Sequence, residues 1–268
     1  VTETLGIAGS GTIASGLAIV ASASTDVVLW ARSEASVERV GAAIAKGAPR
    51  YDGADAQRIK VTTELSDLDA SSYLVEAIVE DHASKATLLA DLAELTKHQG
   101  ERTILSTTTS SLSVTDLAQA TGHPERFVGL HVFNPVPMMK LIEVVCAPET
   151  SEDTRARTLA LAEQLNKVAV VTPDTPGFVV NRLLFPYLFD AANFQAESGL
   201  EPSEIDDAMK LGAGLPMGPL ALLDYVGLDV SKAIGDSLSL ATPANVSKLI
   251  EAGALGKKSG RGFYDYAR

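Results

Sequence analysis

An α/β domain with a mostly parallel sheet, followed by an all-α domain, is the fold class that these 268 residues predict. Three observations carry the prediction. Strand-like and helix-like segments alternate from residue 5 to residue 172, the pattern of parallel strands joined by crossover helices. The first strand runs into a glycine-rich turn that opens a helix. Beyond a turn-rich stretch near residue 175, only helical periodicity is found. The predicted domains are therefore 1–174 and 175–268.

Each element follows from local pattern. Leu5-Gly6-Ile7-Ala8 is a short buried strand, and Gly9-Ser10-Gly11-Thr12-Ile13-Ala14-Ser15-Gly16 opens an apolar helix. A second strand at 26–30 leads to an amphipathic helix over 34–46, and 47–57, with Pro49 and Gly53, is loop. Strands follow at 59–63 and 72–79. A helix over 82–97 sets Leu88, Leu89, Leu92 and Leu95 on one face. Residues 103–106 are a strand, and Ser113-x-x-Asp116 resembles a capping box that starts a short helix. Strands at 126–132 and 140–146, a helix at 151–166 and a strand at 168–172 complete the first domain. Pro173-Asp174-Thr175-Pro176-Gly177 is a hinge; a helix over 178–198 follows, with Pro186 a predicted kink, and Pro202-Ser203-x-x-Asp206 opens the next.

Composition narrows the partners. Asp and Glu (34) outnumber Lys and Arg (22), a net charge of −12, which argues against nucleic acid and anionic membranes, since both need a basic footprint. Small phosphate-bearing ligands stay open, because backbone N–H groups can hold them. The single cysteine, Cys146, excludes an internal disulfide and fits a reducing cytoplasm. His82, His98, His123 and His131 are scattered, so no metal site is expected. No apolar run is long enough for a membrane span. The apolar stretch 5–24 is not read as a signal peptide, because Glu3 stands where a cationic segment is required.

Gly9-x-Gly11-x-x-Ala14 lies between a strand and a helix, the context of a dinucleotide fingerprint. The first glycine permits the tight turn, the second admits the pyrophosphate, and Ala14 packs helix against strand. Thr12 and Ile13 join the expected cofactor contacts. This is a Rossmann-like arrangement. At the end of the second strand an NAD site normally places an acid on the ribose 2′-OH. Here the residues are Trp30-Ala31-Arg32-Ser33. Arg32 favours a 2′-phosphate and Ser33 is expected to add a hydrogen bond, so NADP(H) is favoured over NAD(H), with dual use open.

A second constellation carries the chemistry. Ser110 follows a strand, at a carboxyl edge where ligands bind in such sheets. His131 lies late in an apolar strand that ends in Asn134-Pro135-Val136-Pro137. The returning strand carries Glu143, a carboxylate among apolar residues, and buried glutamates are rare unless paired. A His131–Glu143 pair is the economical reading, with the carboxylate orienting the ring. Asn181 opens the helical half and is expected to face the cleft between domains.

These residues resemble the L-3-hydroxyacyl-CoA dehydrogenase family, most closely its short bacterial 3-hydroxybutyryl-CoA dehydrogenases. The resemblance rests on Gly9-Ser-Gly11-Thr, Val75-Glu-Ala-Ile-Val-Glu80, Thr109-Ser110-Ser111-Leu112, Gly129-Leu-His131-Val-Phe-Asn134-Pro-Val-Pro, Pro176-Gly-Phe-Val-Val-Asn181-Arg182, Pro216-Met-Gly-Pro-Leu and Gly260-Arg-Gly-Phe-Tyr. They run in family order over nearly the whole chain. The resemblance implies an NAD(P)-dependent oxidoreductase of fatty acid metabolism. His131 is then general base and acid, Glu143 holds it, Ser110 bonds the reacting oxygen, and Asn181 bonds that oxygen or the thioester carbonyl. Asn134 joins the substrate site; Glu80 and Lys85 line the cofactor site. It also implies a homodimer through the C-terminal domain. The apolar residues Leu183, Leu184, Phe185, Leu188, Phe189, Leu222 and Leu223 exceed one helix face, which fits such a dimer.

The sequence departs from the family in three places. The acid after the second strand is missing. Thr108 replaces the usual Asn beside Ser110. The segment 34–60 is short, and only Arg39, Lys46, Arg50 and Lys60 are left of a basic clamp for the CoA tail. The shortened clamp motivates an alternative, a relative oxidising a hydroxy acid or alcohol without CoA, as the gulonate and carnitine branches do. Two further readings are weaker. A Ser110-His131-Glu143 hydrolase triad lacks the Gly-x-Ser-x-Gly elbow. A nucleotide-binding module without catalysis leaves His131 and Glu143 unexplained.

Overall fold

The computed structural model describes residues 2–266, and of 99–101 the backbone alone. The chain forms two compact units, Val1–Phe178 and Val179–Arg268.

The first unit is built on eight strands: β1 (Leu5–Ala8), β2 (Val27–Trp30), β3 (Ile59–Thr62), β4 (Tyr73–Glu76), β5 (Ile104–Thr107), β6 (Phe127–Val132), β7 (Leu141–Cys146) and β8 (Val168–Pro173). Their order is β3-β2-β1-β4-β5-β6-β7-β8. All neighbours are parallel except β6 and β7. The helices are α1 (Thr12–Ala21), α2 (Glu34–Gly47), α3 (His82–Leu95), α4 (Val114–Ala120) and α5 (Glu152–Gln164).

Strand periodicity sorts the core into two layers. Ile7, Tyr73, Val75, Ile104, Val128, Leu130, Ile142 and Val144 point to one face, against Leu17 and Val20 of α1, Val40 and Ile44 of α2 and Leu161 of α5. Leu74, Leu105, Phe127 and Val145 point to the other, against Leu88, Leu89 and Leu92 of α3 and Leu117 of α4. The apolar stretch 5–24 is thus β1, α1 and the turn after it. Among the described residues no helix is long and apolar enough to cross a membrane.

Two local expectations are refined. The strand predicted at 72–79 ends at Glu76, because the Glu76 carboxylate accepts the Ile78 N–H (2.7 Å) and turns the chain out of the ladder. At α4, Ser113 Oγ accepts the Asp116 N–H (3.1 Å), as the capping pattern suggested. Asp174, from the hinge 173–177, takes the Val114 and Thr115 N–H groups (3.1 and 2.8 Å). Part of the hinge therefore serves as a distant N-cap.

The second unit contains α6 (Val180–Ser198), α7 (Pro202–Ala213), α8 (Pro219–Val226), α9 (Leu228–Ser237) and α10 (Ala244–Glu251). α6 runs unbroken through Pro186 and ends at Gly199, whose φ of 69° is the left-handed conformation of many helix ends. Phe185, Leu188, Phe189 and Leu223 are buried in this unit's own core, with Leu184 and Leu222 packed against it. Of the apolar residues expected to exceed one helix face, Leu183 alone stays exposed, at 69%.

Two buried carboxylates organise this unit. Asp206 of α7 accepts the Leu220 and Ala221 N–H groups of α8, both at 2.9 Å, and the Tyr264 hydroxyl at 2.7 Å. Asp224 accepts the N–H groups of Phe263 (3.0 Å) and Tyr264 (2.9 Å); burial, the dominant cause, pushes its pKa up. A Cβ at Gly218 would collide with Asp206, and one at Gly262 with Asp224. The Pro216-Met-Gly-Pro-Leu and Gly260-Arg-Gly-Phe-Tyr motifs are accounted for by these contacts.

Candidate active site

Because β1, β4, β5 and β6 are parallel, their carboxyl ends share one edge of the sheet. The glycine-rich turn, Glu80, Ser110 and His131 all follow from, or lie near, those ends. A cavity of about 940 Å³ opens there, lined by Gly9, Gly11, Thr12, Ile13, Arg32, Arg39, Glu80 and Ser110 among others. Its size falls within the ordinary range for ligand sites.

The glycines have separable causes. Gly9 adopts φ 151°, and a Cβ there would strike the Ala77 carbonyl. At Gly11 a Cβ would meet no protein atom within 4 Å, so internal packing does not require the glycine. Gly11 is the N-cap of α1, with no side-chain cap and no acid in the first turn. The helix thus presents uncapped N–H groups and its positive dipole end. This is a fitting seat for a pyrophosphate. Ala14 is fully buried and packs helix against sheet.

At the end of β2 the structure separates two residues read together. Arg32 lines the cavity. Ser33 does not: it is the N-cap of α2, with Oγ 3.4 Å from the Ser36 N–H and 3.1 Å from Ser36 Oγ. Arg39, placed by sequence among the residues left of a CoA clamp, lines the same cavity as Arg32. Lys60, from the same set, is ion-paired with Asp67 at 2.9 Å.

Lys85 is also absent from the lining. It is wholly buried, its Nζ 2.8 and 3.0 Å from the Glu76 carboxylate and 3.5 Å from Glu80 Oε2. Thr107 Oγ1 donates to Glu76 as well, at 2.6 Å. Glu80 Oε1 in turn accepts Thr109 Oγ1 (2.7 Å), the Ser110 N–H (2.7 Å) and the Ser111 N–H (3.0 Å). Burial raises the Glu80 pKa; the Thr109 hydroxyl, the Lys85 charge and the Ser110 and Ser111 donors outweigh it and hold the carboxyl below its ordinary value. A buried ion pair thus anchors a carboxylate that clamps the turn carrying Ser110. Glu76 escaped the sequence reading, although a glutamate inside an apolar strand is the same signal that drew attention to Glu143.

His131 and Glu143 are direct partners across the antiparallel β6–β7 pair. His131 Nδ1 lies 2.6 Å from Glu143 Oε2, with both side chains at most 6% exposed. Phe133 and Phe178 flank the imidazole, with ring centroids at 4.5 and 5.3 Å. Phe178 holds a left-handed φ of 50°, uncommon for a bulky residue, directly after Gly177 at 75°. From sequence, Pro176 and Gly177 close a hinge and Phe178 begins a helix and belongs to a family motif, with no contact to His131 foreseen. Lys167 Nζ donates to the Val136 and Met139 carbonyls and pins the turn after Asn134, which is itself exposed. A Cβ at Gly16 of α1 would lie 2.8 Å from Val136 Cβ, so that turn also rests on the cofactor helix. Asn181 lies buried in the first turn of α6, within the second unit.

Comparison with known proteins agrees with this geometry. The NAD binding domain model of 3-hydroxyacyl-CoA dehydrogenase matches residues 4–175, and the C-terminal domain model of the same name matches 177–266. The chain is 40% identical to the 3-hydroxybutyryl-CoA dehydrogenase of Clostridioides difficile, covering 98% of this chain and 99% of that one. The crystal structure of (S)-3-hydroxybutyryl-CoA dehydrogenase PaaH1 from Ralstonia eutropha superimposes with a TM-score of 0.91 at 37% identity, covering 99% of each chain. FadB2 of M. tuberculosis gives a TM-score of 0.93 at 36% identity, over 98% of each chain.

Proposed function

The chain belongs to the 3-hydroxyacyl-CoA dehydrogenase family, and from that premise we propose that it interconverts a 3-hydroxyacyl-CoA, foremost 3-hydroxybutyryl-CoA, and the corresponding 3-ketoacyl-CoA. The observation that carries the chemistry is the buried His131–Glu143 pair, at the same sheet edge as a cavity built for a dinucleotide. A bound nicotinamide supplies the hydride chemistry at the substrate C3. His131 takes the proton of the 3-hydroxyl through the ring nitrogen opposite Nδ1. In reverse, as imidazolium, it returns that proton to the oxygen. Glu143, on Nδ1, fixes the ring orientation. Ser110 hydrogen-bonds the reacting oxygen, on a turn that Glu80 holds. Asn134 and Asn181 are assigned to substrate on their sequence motifs alone.

NADP(H) is the preferred cofactor in this reading, because Arg32 stands at the cavity where an acid would serve NAD(H). Gly9, Gly11, Thr12, Ile13 and Ala14 form its pyrophosphate seat. Lys85 serves the site through Glu80. The exposed apolar residues Leu183, Phe194 and Leu211 of the helical unit support a homodimer, and sedimentation of a monomer at micromolar concentration would count against it.

The test is a rate matrix of NADH and NADPH against acetoacetyl-CoA, longer 3-ketoacyl-CoAs and free acetoacetate. Turnover of acetoacetyl-CoA in preference to the free acid is expected. The opposite order would favour the reading without CoA. His131→Ala is expected to lower kcat on the order of 10²- to 10⁴-fold, and full retained activity would refute its assignment.

A further inference from the structure

Arg39 sits on α2, five residues beyond the start of that helix, yet it lines the cavity at the glycine-rich turn. Its Nη2 donates to Ser10 Oγ at 3.4 Å and to Ser36 Oγ at 3.1 Å. Ser36 Oγ also receives the Ser33 hydroxyl at 3.1 Å. A chain of hydroxyls therefore runs from the α2 cap to this guanidinium and on to the turn.

Two features point to a ligand. Arg32 and Arg39 open on one cavity, whereas Arg58, Arg155 and Arg157 are held in ion pairs. Two cations without carboxylate partners, lining one cavity in a protein of net charge −12, call for an anion. The contacts of Arg39 also use only part of its five-donor fork, which leaves donors for bidentate bonding to a phosphate.

We propose that Arg39 is a second specificity-determining residue, pairing with Arg32 on a phosphomonoester at the ribose 2′ position. The proposal rests on the dinucleotide reading of the cavity and reassigns the partner of Arg32. Ser33 spends its hydroxyl on the helix cap, and Ser36 does for Arg39 what a ligand-side contact does elsewhere: it sets the fork before the anion arrives.

The full chain is titrated calorimetrically with 2′,5′-ADP and with ADP, as wild type, Arg39→Met, Arg39→Lys and Arg32→Met. The readout is the ratio of the two affinities, which general damage to the cavity does not move in one direction. Wild type is expected to favour 2′,5′-ADP, and Arg39→Met to lower the ratio about tenfold or more, the loss expected of a charge-assisted hydrogen bond. Arg39→Lys keeps the charge without the fork and falls between them. A wild-type ratio near one overturns the NADP(H) reading and this proposal with it. A wild-type preference that survives in Arg39→Met but is lost in Arg32→Met overturns the role of Arg39 alone.

Discussion

Lys85→Met tests the buried anchor beneath the Ser110 turn. Lys85 Nζ is 2.8 Å from Glu76, and both side chains are at most 1% exposed. At that distance and an effective dielectric constant near 20, the attraction is about 6 kcal/mol before desolvation is subtracted. Methionine keeps most of the stem and its packing but leaves the Glu76 carboxylate buried without a cation. Breaking such a pair from one side costs on the order of 3–5 kcal/mol. The contact with Glu80, at 3.5 Å and with that carboxylate 35% exposed, adds under about 1 kcal/mol. The assay is urea unfolding of the full chain, with Glu76→Gln and the double variant completing a cycle. The double variant should cost less than the sum of the singles by about 1–3 kcal/mol. Lys85→Met should also lower kcat, because Glu80 then clamps the 109–111 turn without its cation. The pH dependence follows from Glu80, whose pKa is lowered in the folded chain. Its contribution is complete above the ordinary carboxylate range and is lost as pH falls through the folded value. Removing Lys85 leaves burial less opposed, so that loss moves to higher pH. A penalty below about 1 kcal/mol, or strict additivity in the cycle, would refute the anchoring role.

Two other substitutions probe how the site is supported. Gly16→Ala adds helix propensity worth about 1 kcal/mol but sets a methyl against Val136 Cβ, so a net loss of about 1–3 kcal/mol is expected in urea unfolding, with lower kcat from a displaced turn after His131; net stabilisation would contradict the packing argument. Gly262→Ala drives a methyl into Asp224, and a fall in melting temperature is expected. Asp224→Asn on the same background should not restore it, because the collision is steric and the Phe263 and Tyr264 N–H groups still need an acceptor.

Much of the first unit was legible because short apolar runs, buried on both faces of a mostly parallel sheet, alternate with helical patterns. Phe127 faces one layer and Val128 the other, as alternation requires. The His131–Glu143 pair was legible for a related reason: two polar residues on adjacent apolar strands have little choice but each other. Surface and helix positions were harder to read. Ser33 and Arg39 are polar residues near a helix start, and nothing local says which caps the helix and which lines the cavity. The apolar excess of the helical half suggested an exposed face, yet most of it packs within that unit, since the chain path decides which faces meet.

The amino-acid sequence by itself determined the order of strands and helices, the glycine turn with its required backbone, and the pairing of His131 with Glu143. Those depend on periodicity, on φ restrictions and on the cost of burying an unpaired charge, all written within a few residues. Tertiary structure alone decided that Lys85 is an internal anchor, that Asp174 caps a helix sixty residues earlier, that Phe178 flanks the His131 imidazole and that Arg39 lines the same cavity as Arg32. Each depends on groups distant in sequence meeting at one sheet edge or one helix end, and that meeting follows from strand order and helix packing.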